Sequence, residues 1–311
     1  MSPAAIRPVD QPRVSVVIPA YQGGQELLEA VDSAWASYRR PEEVIVVDNG
    51  SEDGSIEALR DRFPDVRLLC NGSNLGFGAA CNRGIELARR LGHRFTLLLN
   101  QDARLDPDTL GSLLELAYRQ PRAAAIGCLT LSSDSRSEGH SRILYNGSWR
   151  RWLPTWQRLP GLGGSAATAE RQPRKADYVW GHAMLLRQEA LAEQAPFDPG
   201  FFMYYEDLDL CWRLQQAGWE IWCDSRVVVW HRQRDSARAQ GSCLRRWRMK
   251  AASSRYFYRK RHRPMRADAL WLLHNLREVA PLLLAGHWLA VGHIGRATLG
   301  ELKRPAGSEP I

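Results

Sequence analysis

The chain has 311 residues and a formal net charge of +8, and its hydrophobic and charged fractions, 44% and 24%, are those of a soluble globular protein. No two of its six cysteines have CxxC spacing, which argues against a disulfide or zinc framework and for reduced, buried thiols. No apolar run of about 18 residues is free of charge, and the N-terminus lacks a signal-peptide pattern, so neither a membrane span nor secretion is predicted.

Strands alternate with helices through the first half of the chain. After a loose leader at 1–12, β-branched and apolar runs predict buried strands at 14–18, 43–47, 66–70, 95–99 and 123–129. Helices are predicted at 25–38, 56–63 and 76–91, and a fourth helix begins with Asp106 as its N-cap and Pro107 at its first position. This alternation predicts an α/β domain with a mainly parallel sheet.

Polar loops follow four of these strands, at 19–24, 48–55, 71–78 and 100–102. Ligands of such sheets bind outside the carboxyl ends of the strands, so we expect the four loops to form one site. Asp48 is placed to accept hydrogen bonds from a ribose or a uracil-type base, whereas Asp53 is better explained as the cap of the next helix. The glycines after Asn74 allow backbone to approach a ligand closely, as a diphosphate would require.

Metal-ligand candidates stand at two strand ends. Asp102 follows the strand at 95–99, and His231 follows the last predicted strand. A hard divalent cation takes oxygen and imidazole ligands and neutralises a diphosphate. Asp102 is the stronger candidate, because a structural role is favoured for a lone histidine such as His231.

The second half begins with a long segment, 132–175, rich in Ser, Gly, Arg and Pro around a predicted strand at 142–148. It is interpreted either as a lid or acceptor loop near the site or as a disordered insertion. A strand is then predicted at 177–187, with Trp180, Gly181 and His182 near its middle, and two short strands are predicted at 219–223 and 226–230.

Three carboxylates lie in the stretch FFMYYEDLDLCWR, where a helix is predicted to start and to end before Gly218. Glu206 and Asp209 share one face of this helix, while Asp207 points elsewhere. An ionised carboxylate beside aromatic walls can take a proton from a substrate hydroxyl. The alternative is an acidic helix start with a solvated face.

From residue 240 onward the chain is predicted to be helical, with a break at Pro281. Between Arg232 and Arg266 there are 13 Lys or Arg and one acid, interleaved with aromatic residues. This composition favours an anionic membrane surface as the partner of 240–300. The alternative is packing on the catalytic domain or on a second subunit, so a homodimer stays open; nucleic acid is disfavoured as a partner.

Six motifs occur in family order between residues 13 and 231: VSVVIPAYQGG, VVDNGSEDGS, NLGFGAACNRG, LLLNQDA, GHAMLLR and FDPGFFMYYEDLDLCWRLQQAGW. Together they resemble those of the inverting family 2 glycosyltransferases, and most closely the rhamnosyltransferase-like branch. The resemblance implies a GT-A fold for 13–235, and the helical region predicted from the composition occupies 236–311. It also implies Mg²⁺ or Mn²⁺ and a nucleotide-diphospho-sugar donor, dTDP-rhamnose being the expectation from the branch.

The resemblance further implies a glycan or lipid-linked acceptor in cell-envelope polysaccharide synthesis. The scattered cysteines favour a cytoplasmic protein, and the basic tail favours peripheral attachment to the inner face of the plasma membrane. Asp207 matches the general base, with Glu206 beside it, and Asp102 and His231 match metal ligands. Donor-binding positions match Pro19, Ala20, Tyr21, Asp48, Asn49, Asn74, Gly76, Asn100 and Gln101. The acceptor pocket is expected at Trp180, Gly181, His182, Tyr204 and Tyr205.

Two departures from the family pattern bear on these expectations. The DxD metal motif reads Asn100-Gln101-Asp102, so one carboxylate is missing, and His182 stands where a small residue is usual. A nucleotidyltransferase is disfavoured, because no Lys or Arg accompanies Gly23-Gly24 to hold a triphosphate. The remaining alternative, a non-catalytic nucleotide-sugar-binding scaffold, is opposed by the intact Glu206-Asp207 pair.

Overall fold

The computed structural model describes residues 13–131, 137–139, 172–191, 196–232, 240–284 and 288–302. The predicted leader at 1–12, and the predicted strand at 142–148 with most of its long segment, lie outside the described residues.

Ten strands form one mixed sheet in the described part of the chain. They are β1 (Val14–Ala20), β2 (Glu43–Asp48), β3 (Arg67–Cys70), β4 (Phe95–Leu99), β5 (Ala103–Leu105), β6 (Ala123–Leu131), β7 (Ser137–Gly139), β8 (Pro173–Lys175), β9 (Ala183–Arg187) and β10 (Glu220–His231). The order is β3-β2-β1-β4-β9-β6-β10-β5, with β7 on β6 and β8 on β10. Strands β3, β2, β1, β4, β6 and β10 run in one direction, which confirms the predicted α/β class.

Within the described ranges, eight α-helices accompany the sheet: α1 (Gly24–Trp35), α2 (Ser55–Arg62), α3 (Phe77–Arg90), α4 (Thr109–Arg119), α5 (Glu206–Gln216), α6 (Gln240–Arg259), α7 (Pro264–Leu284) and α8 (Trp288–Leu302). Alternate residues of β1 point to opposite faces of the sheet. Val16 and Ile18 join the core beneath α1 and α4, and Val17 joins the core beneath α3 and α5. Gly84 lets α3 approach β1 closely, because a Cβ there would stand 2.3 Å from Val17 Cγ1.

Several predicted boundaries are wrong, each for a local reason. Strand β1 continues through Pro19, which pairs with Val47, because the fixed φ of proline suits extended backbone. Helix α4 begins at Thr109 rather than at Asp106, whose carboxylate instead accepts a hydrogen bond from the indole of Trp230 at 2.8 Å. Cys70 is exposed because β3 is the edge strand, whereas the thiols of the other described cysteines are buried as predicted.

The second half of the sheet also differs from prediction. The two strands predicted at 219–223 and 226–230 are one strand, β10, with a register shift between Asp224 and Val228. The strand predicted at 177–187 is formed only by β9, so Trp180–His182 precede it. The N–H of Gly181 does not pair with a neighbouring strand, because it donates a hydrogen bond to the Asp207 carboxylate at 3.2 Å.

The C-terminal helices pack against the α/β domain. Phe201, Phe257 and Trp271 are buried in a third apolar cluster that α6, α7 and α8 share with the segment before α5. Helix α7 continues beyond Pro281 to Leu284, so the predicted break is wrong, and the helix tolerates the missing N–H donor. None of the helices in the described ranges is long and apolar enough to cross a bilayer.

One edge of the sheet gathers the polar loops. The carboxyl ends of β1, β2, β3 and β4 meet there, together with those of β6 and β10. Because β9 runs antiparallel to β4, the residues before its first residue reach the same edge. The start of α5 completes the group, since the Asp207 carboxylate contacts Gly181.

Candidate active site

The loop after β1 is fixed to the loop after β4 by a side-chain amide. Gln101 Oε1 accepts a hydrogen bond from the Tyr21 N–H at 2.7 Å, and Gln101 Nε2 donates to the Tyr21 carbonyl at 3.0 Å. The two predicted donor loops therefore form one wall. Pro19 and Ala20 are the last two residues of β1 and lead into this wall.

Hydrogen bonds also join the loops after β2 and β3. Asp48 Oδ1 accepts the N–H of Ser51 at 2.9 Å, and Asn49 Nδ2 donates to the Gly76 carbonyl at 3.2 Å. Asn74 Oδ1 accepts the Gly76 N–H at 3.0 Å, which closes the turn before α3. The structure thus brings Asp48, Asn49, Asn74 and Gly76 together as the sequence predicts.

Position 76 requires glycine for two reasons, a close contact with neighbouring backbone and a φ of +89°. A Cβ at this position would stand 2.3 Å from the carbonyl oxygen of Phe202, to which Phe77 donates its N–H at 3.1 Å. This contact joins the donor side of the edge to the stretch that precedes α5.

Asp102 and His231 meet at the ends of β4 and β10, where His231 Nε2 lies 3.3 Å from Asp102 Oδ1. The ring of His182 stacks on His231 with centroids 4.8 Å apart, and its Nε2 lies 2.6 Å from Thr130 Oγ1. Burial, reinforced by His231, lowers the pKa of His182 to about 3, so this ring is neutral at pH 7.

The residues present fit a divalent cation held together with substrate. In the described ranges, no group of three or more His, Cys, Asp or Glu side chains is placed to hold a metal by itself. However, Mg²⁺ sites commonly use one or two protein ligands plus substrate phosphates. Asp102 and His231 supply an oxygen and a nitrogen, and Asn100 Oδ1 nearby is buried without a hydrogen-bond partner among the described residues.

Asp207 lies on the other side of the edge, at the second position of α5. Its Oδ1 accepts the Leu208 N–H at 2.7 Å and its Oδ2 accepts the Gly181 N–H at 3.2 Å. Glu206 turns inward and is buried beside Gly78, and its Oε2 has no hydrogen-bond partner among the described residues. Asp209 shares that inward face, as predicted, and is fully buried.

Burial raises the pKa of both members of the Glu206-Asp207 pair. The pKa of Glu206 is raised well above its usual range, by burial and then by the charge of Asp207. Burial also raises the pKa of Asp207, against the lowering effect of its bonds from Gly181 and Leu208. When the pair holds one proton, it therefore resides on Glu206, which leaves Asp207 ionised and more basic than an ordinary aspartate.

The turn before α5 has an uncommon backbone. Tyr204 and Tyr205 have φ of 71° and 69°, in the left-handed region that residues other than glycine rarely occupy. Such conformations cost about 1–3 kcal/mol each and persist only where surrounding contacts impose them. This turn sets the direction in which α5 starts, and so the position of Asp207.

The structure places the predicted acceptor residues in two groups. Trp180 and His182 lie together, ring to ring at 5.3 Å, beside Gly181 and Asp207. Tyr205 contacts the C-terminal helices, because its hydroxyl lies 2.6 Å from His274 Nε2 of α7, and its place in the acceptor pocket stays a prediction. Sequence reasoning missed Thr130 and His274, which carry no motif and reach their partners only through the fold.

Comparison with known proteins supports the same assignment. The profile of glycosyl transferase family 2 matches residues 15–194. The chain belongs to glycosyltransferase family 2. A relative from Mycobacterium tuberculosis (strain H37Rv), N-acetylglucosaminyl-diphospho-decaprenol L-rhamnosyltransferase, is 32% identical over 309 residues, covering 94% of this chain and 97% of the relative. The predicted family, its rhamnosyltransferase-like branch and the enzyme class are thus confirmed.

Solved structures confirm the GT-A fold of this glycosyltransferase. The mannosyltransferase PcManGT from Pyrobaculum calidifontis, solved with GDP-Man and Mn²⁺, superposes with a TM-score of 0.59 at 17% identity, covering 96% of this chain and 89% of that one. GalNAc-T7, solved with UDP, GalNAc and Mn²⁺, gives a TM-score of 0.55 at 16% identity, covering 77% of this chain and 48% of that one.

Proposed function

We propose that this glycosyltransferase transfers L-rhamnose from dTDP-rhamnose to a hydroxyl of a lipid-linked N-acetylglucosaminyl diphosphate. The similarity to the mycobacterial rhamnosyltransferase, which spans almost the full length of both chains, carries this proposal. The reaction is a single displacement: the acceptor oxygen bonds to the anomeric carbon as the bond to the nucleoside diphosphate breaks, and configuration inverts.

Asp207 acts as the general base. Its ionised carboxylate takes the proton of the acceptor hydroxyl while the new bond forms, an effect usually worth about 10²–10⁴ in rate. The raised pKa of Asp207 supports this role, because a more basic carboxylate takes a proton more readily. The peptide N–H of Gly181 holds the carboxylate in place at the edge of the sheet.

The donor is held by the loops of β1 to β4. Asp48 and Asn49 lie where nucleoside contacts are expected, and the turn at Asn74–Gly76 presents backbone to the diphosphate. Asp102 and His231 would hold Mg²⁺ or Mn²⁺, which when bound stabilises the charge of a departing diphosphate. Trp180 and His182 remain our proposal for contacts to the acceptor.

A donor panel tests the sugar assignment. Purified protein with Mn²⁺ or Mg²⁺ and a short-chain N-acetylglucosaminyl-diphospho-lipid is incubated with dTDP-rhamnose, UDP- and GDP-sugars, and nucleotide release is measured. We expect release from dTDP-rhamnose that depends on the acceptor. Acceptor-dependent release from another donor instead would reassign the sugar, and release from none would favour a non-catalytic binding protein.

We further propose that the outer surface of α7 and α8 rests on an anionic membrane, where a lipid-linked acceptor resides. Five large apolar side chains in these helices are between 50% and 90% exposed: Met265, Leu273, Leu276, Trp288 and Leu299. The three in α7 fall within about 80° of the helix circumference, so they form one apolar stripe. Arg263 and Arg266 are exposed beside it, which suits anionic headgroups.

Other basic residues of the tail serve the fold instead. Arg255 and Arg259 pair with Asp268, and Lys260 and Arg261 pair with Asp209. The predicted alternatives, membrane contact and packing on the catalytic domain, therefore apply to different residues of the same helices.

Co-sedimentation with vesicles tests the membrane proposal. The full chain should pellet with phosphatidylglycerol vesicles and less with phosphatidylcholine vesicles, and the variant Leu273→Ser/Leu276→Ser/Trp288→Ser should lose about tenfold in vesicle affinity. Tyr38→Ser, which changes an 84% exposed tyrosine of the α/β domain, is the control. Equal pelleting of wild type and triple variant would refute the proposal, and a dimer that the triple variant dissociates would assign the stripe to a second copy.

A further inference from the structure

We propose that α6 and α7 hold the left-handed turn before the base, and that Tyr205 and His274 are positioning residues for Asp207. This inference rests on the proposed function, since it assigns how the base of that reaction is placed. The inference goes beyond the proposed function by giving the C-terminal helices, which lie outside the six motifs, a part in catalysis.

Side chains of the C-terminal helices contact each residue of the turn. Ser253 Oγ donates a hydrogen bond to the Met203 carbonyl at 2.7 Å. The ammonium of Lys250 lies 5.2 Å from the ring centroid of Tyr204. The Tyr205 hydroxyl and His274 Nε2 form a 2.6 Å hydrogen bond whose donor depends on the histidine tautomer. Such contacts are what a strained backbone needs in order to persist.

The turn is connected directly to Asp207. The Tyr205 carbonyl accepts the first helical hydrogen bond of α5, from the Asp209 N–H at 2.9 Å, so the conformation of Tyr205 sets where the helix starts. Asp207 lies between these two residues and must reach the Gly181 N–H from that start. A relaxed turn would shift the carboxylate away from the acceptor, and small misplacements of a catalytic group are costly.

A second anchor fixes the same helix. Asp209 is fully buried, and its carboxylate is paired with Arg213 of α5 and with Lys260 and Arg261, which follow α6. The charge of Asp209 is thereby compensated by the C-terminal unit. The turn and the first turn of α5 are therefore held from one side by the same pair of helices.

Turnover of four variants tests the inference. Tyr205→Phe and His274→Leu remove the hydrogen bond, and His274→Gln keeps a side chain that can make it. Thr298→Val removes a bond between α8 and α7, from Thr298 Oγ1 to Asn275 Oδ1, in which no residue of the turn takes part. We expect kcat to fall about tenfold in Tyr205→Phe and His274→Leu, with the donor KM unchanged, and to stay near wild type in His274→Gln and Thr298→Val.

Hydrogen exchange separates this inference from the proposed reaction. In peptides covering 201–216, His274→Leu should exchange about tenfold faster than wild type, while Thr298→Val should not. The exchange measurement needs no substrate, so its result tests the positioning of the turn even if the donor panel refutes the rhamnosyl transfer. Unchanged exchange and unchanged kcat in His274→Leu would overturn the inference, and so would equal effects in Thr298→Val.

Discussion

The two sides of the active site are constructed in different ways. The donor side consists of loops that follow neighbouring parallel strands and bond to one another, as Gln101 does to Tyr21 and Asn49 does to Gly76. The base side depends on a turn with two left-handed tyrosines, supported by helices that follow it in the chain. A sheet edge thus supplies binding almost by its topology, whereas the base is placed by long-range packing.

This difference implies that donor binding and chemistry can be lost separately. The hydrogen bonds described above that join the donor loops to one another lie within residues 20–101, and Asp207 takes part in none of them. A change at Asp207 should therefore leave the donor in place. The contact between Gly76 and the Phe202 carbonyl is one point at which the two sides touch.

The largest effect should come from Asp207→Asn. An amide keeps the shape of the side chain but cannot take the acceptor proton, so kcat should fall by about 10²–10⁴. Donor affinity, measured by calorimetry with the nucleotide sugar and Mn²⁺, should stay within about twofold of wild type. Asp61→Asn, at an exposed position in α2, is the matched control. A joint loss of donor affinity would show that the two sides are not independent.

A smaller effect, on the donor side, is expected from Asp102→Asn. Loss of this carboxylate beside His231 should weaken Mn²⁺ binding by about 10–100-fold, read from the electron paramagnetic resonance signal of free Mn²⁺ in the presence of nucleoside diphosphate. Asp108→Asn changes an exposed carboxylate in the next connection, between β5 and α4, and should leave the titration unchanged. If Asp102→Asn binds Mn²⁺ like wild type, Asp102 is not a ligand.

The smallest effect concerns stability on the base side. The pKa of Glu206 is raised in the folded state, so its protonation contributes to the free energy of unfolding. This contribution is fully present below the unfolded pKa of about 4.3 and is lost as pH rises through the folded pKa. Because the Glu206→Gln side chain is always neutral, the free energy of unfolding of this variant should rise relative to wild type by about 1.4 kcal/mol for each pH unit within that window. Urea unfolding at pH 5 and pH 8 measures the difference in free energy of unfolding between variant and wild type. Glu57→Gln, at an exposed position, is the control. An equal difference at both pH values would contradict the raised pKa.

The same contrast explains what the sequence could predict. The five N-terminal parallel strands, the shared edge and the approach of His231 to Asp102 follow from apolar runs and strand-end positions, which are local signals. The split of β10 was predicted wrongly because Asp224 and Arg226 pair within one bulged strand. The contact of Tyr205 with His274 could not be predicted, because the two residues lie 69 positions apart and meet only through packing.

The transfer of labelled sugar into lipid tests the central claim most directly. Wild-type protein, dTDP-[¹⁴C]rhamnose, Mn²⁺ and N-acetylglucosaminyl-diphospho-polyprenol in anionic vesicles are incubated together, and label in the organic phase is counted. We predict that label enters the lipid with wild type and that the rate falls at least about 100-fold with Asp207→Asn. Label that stays in the aqueous phase with wild type, or that reaches the lipid equally fast with Asp207→Asn, would contradict the assignment of this chain and of its base.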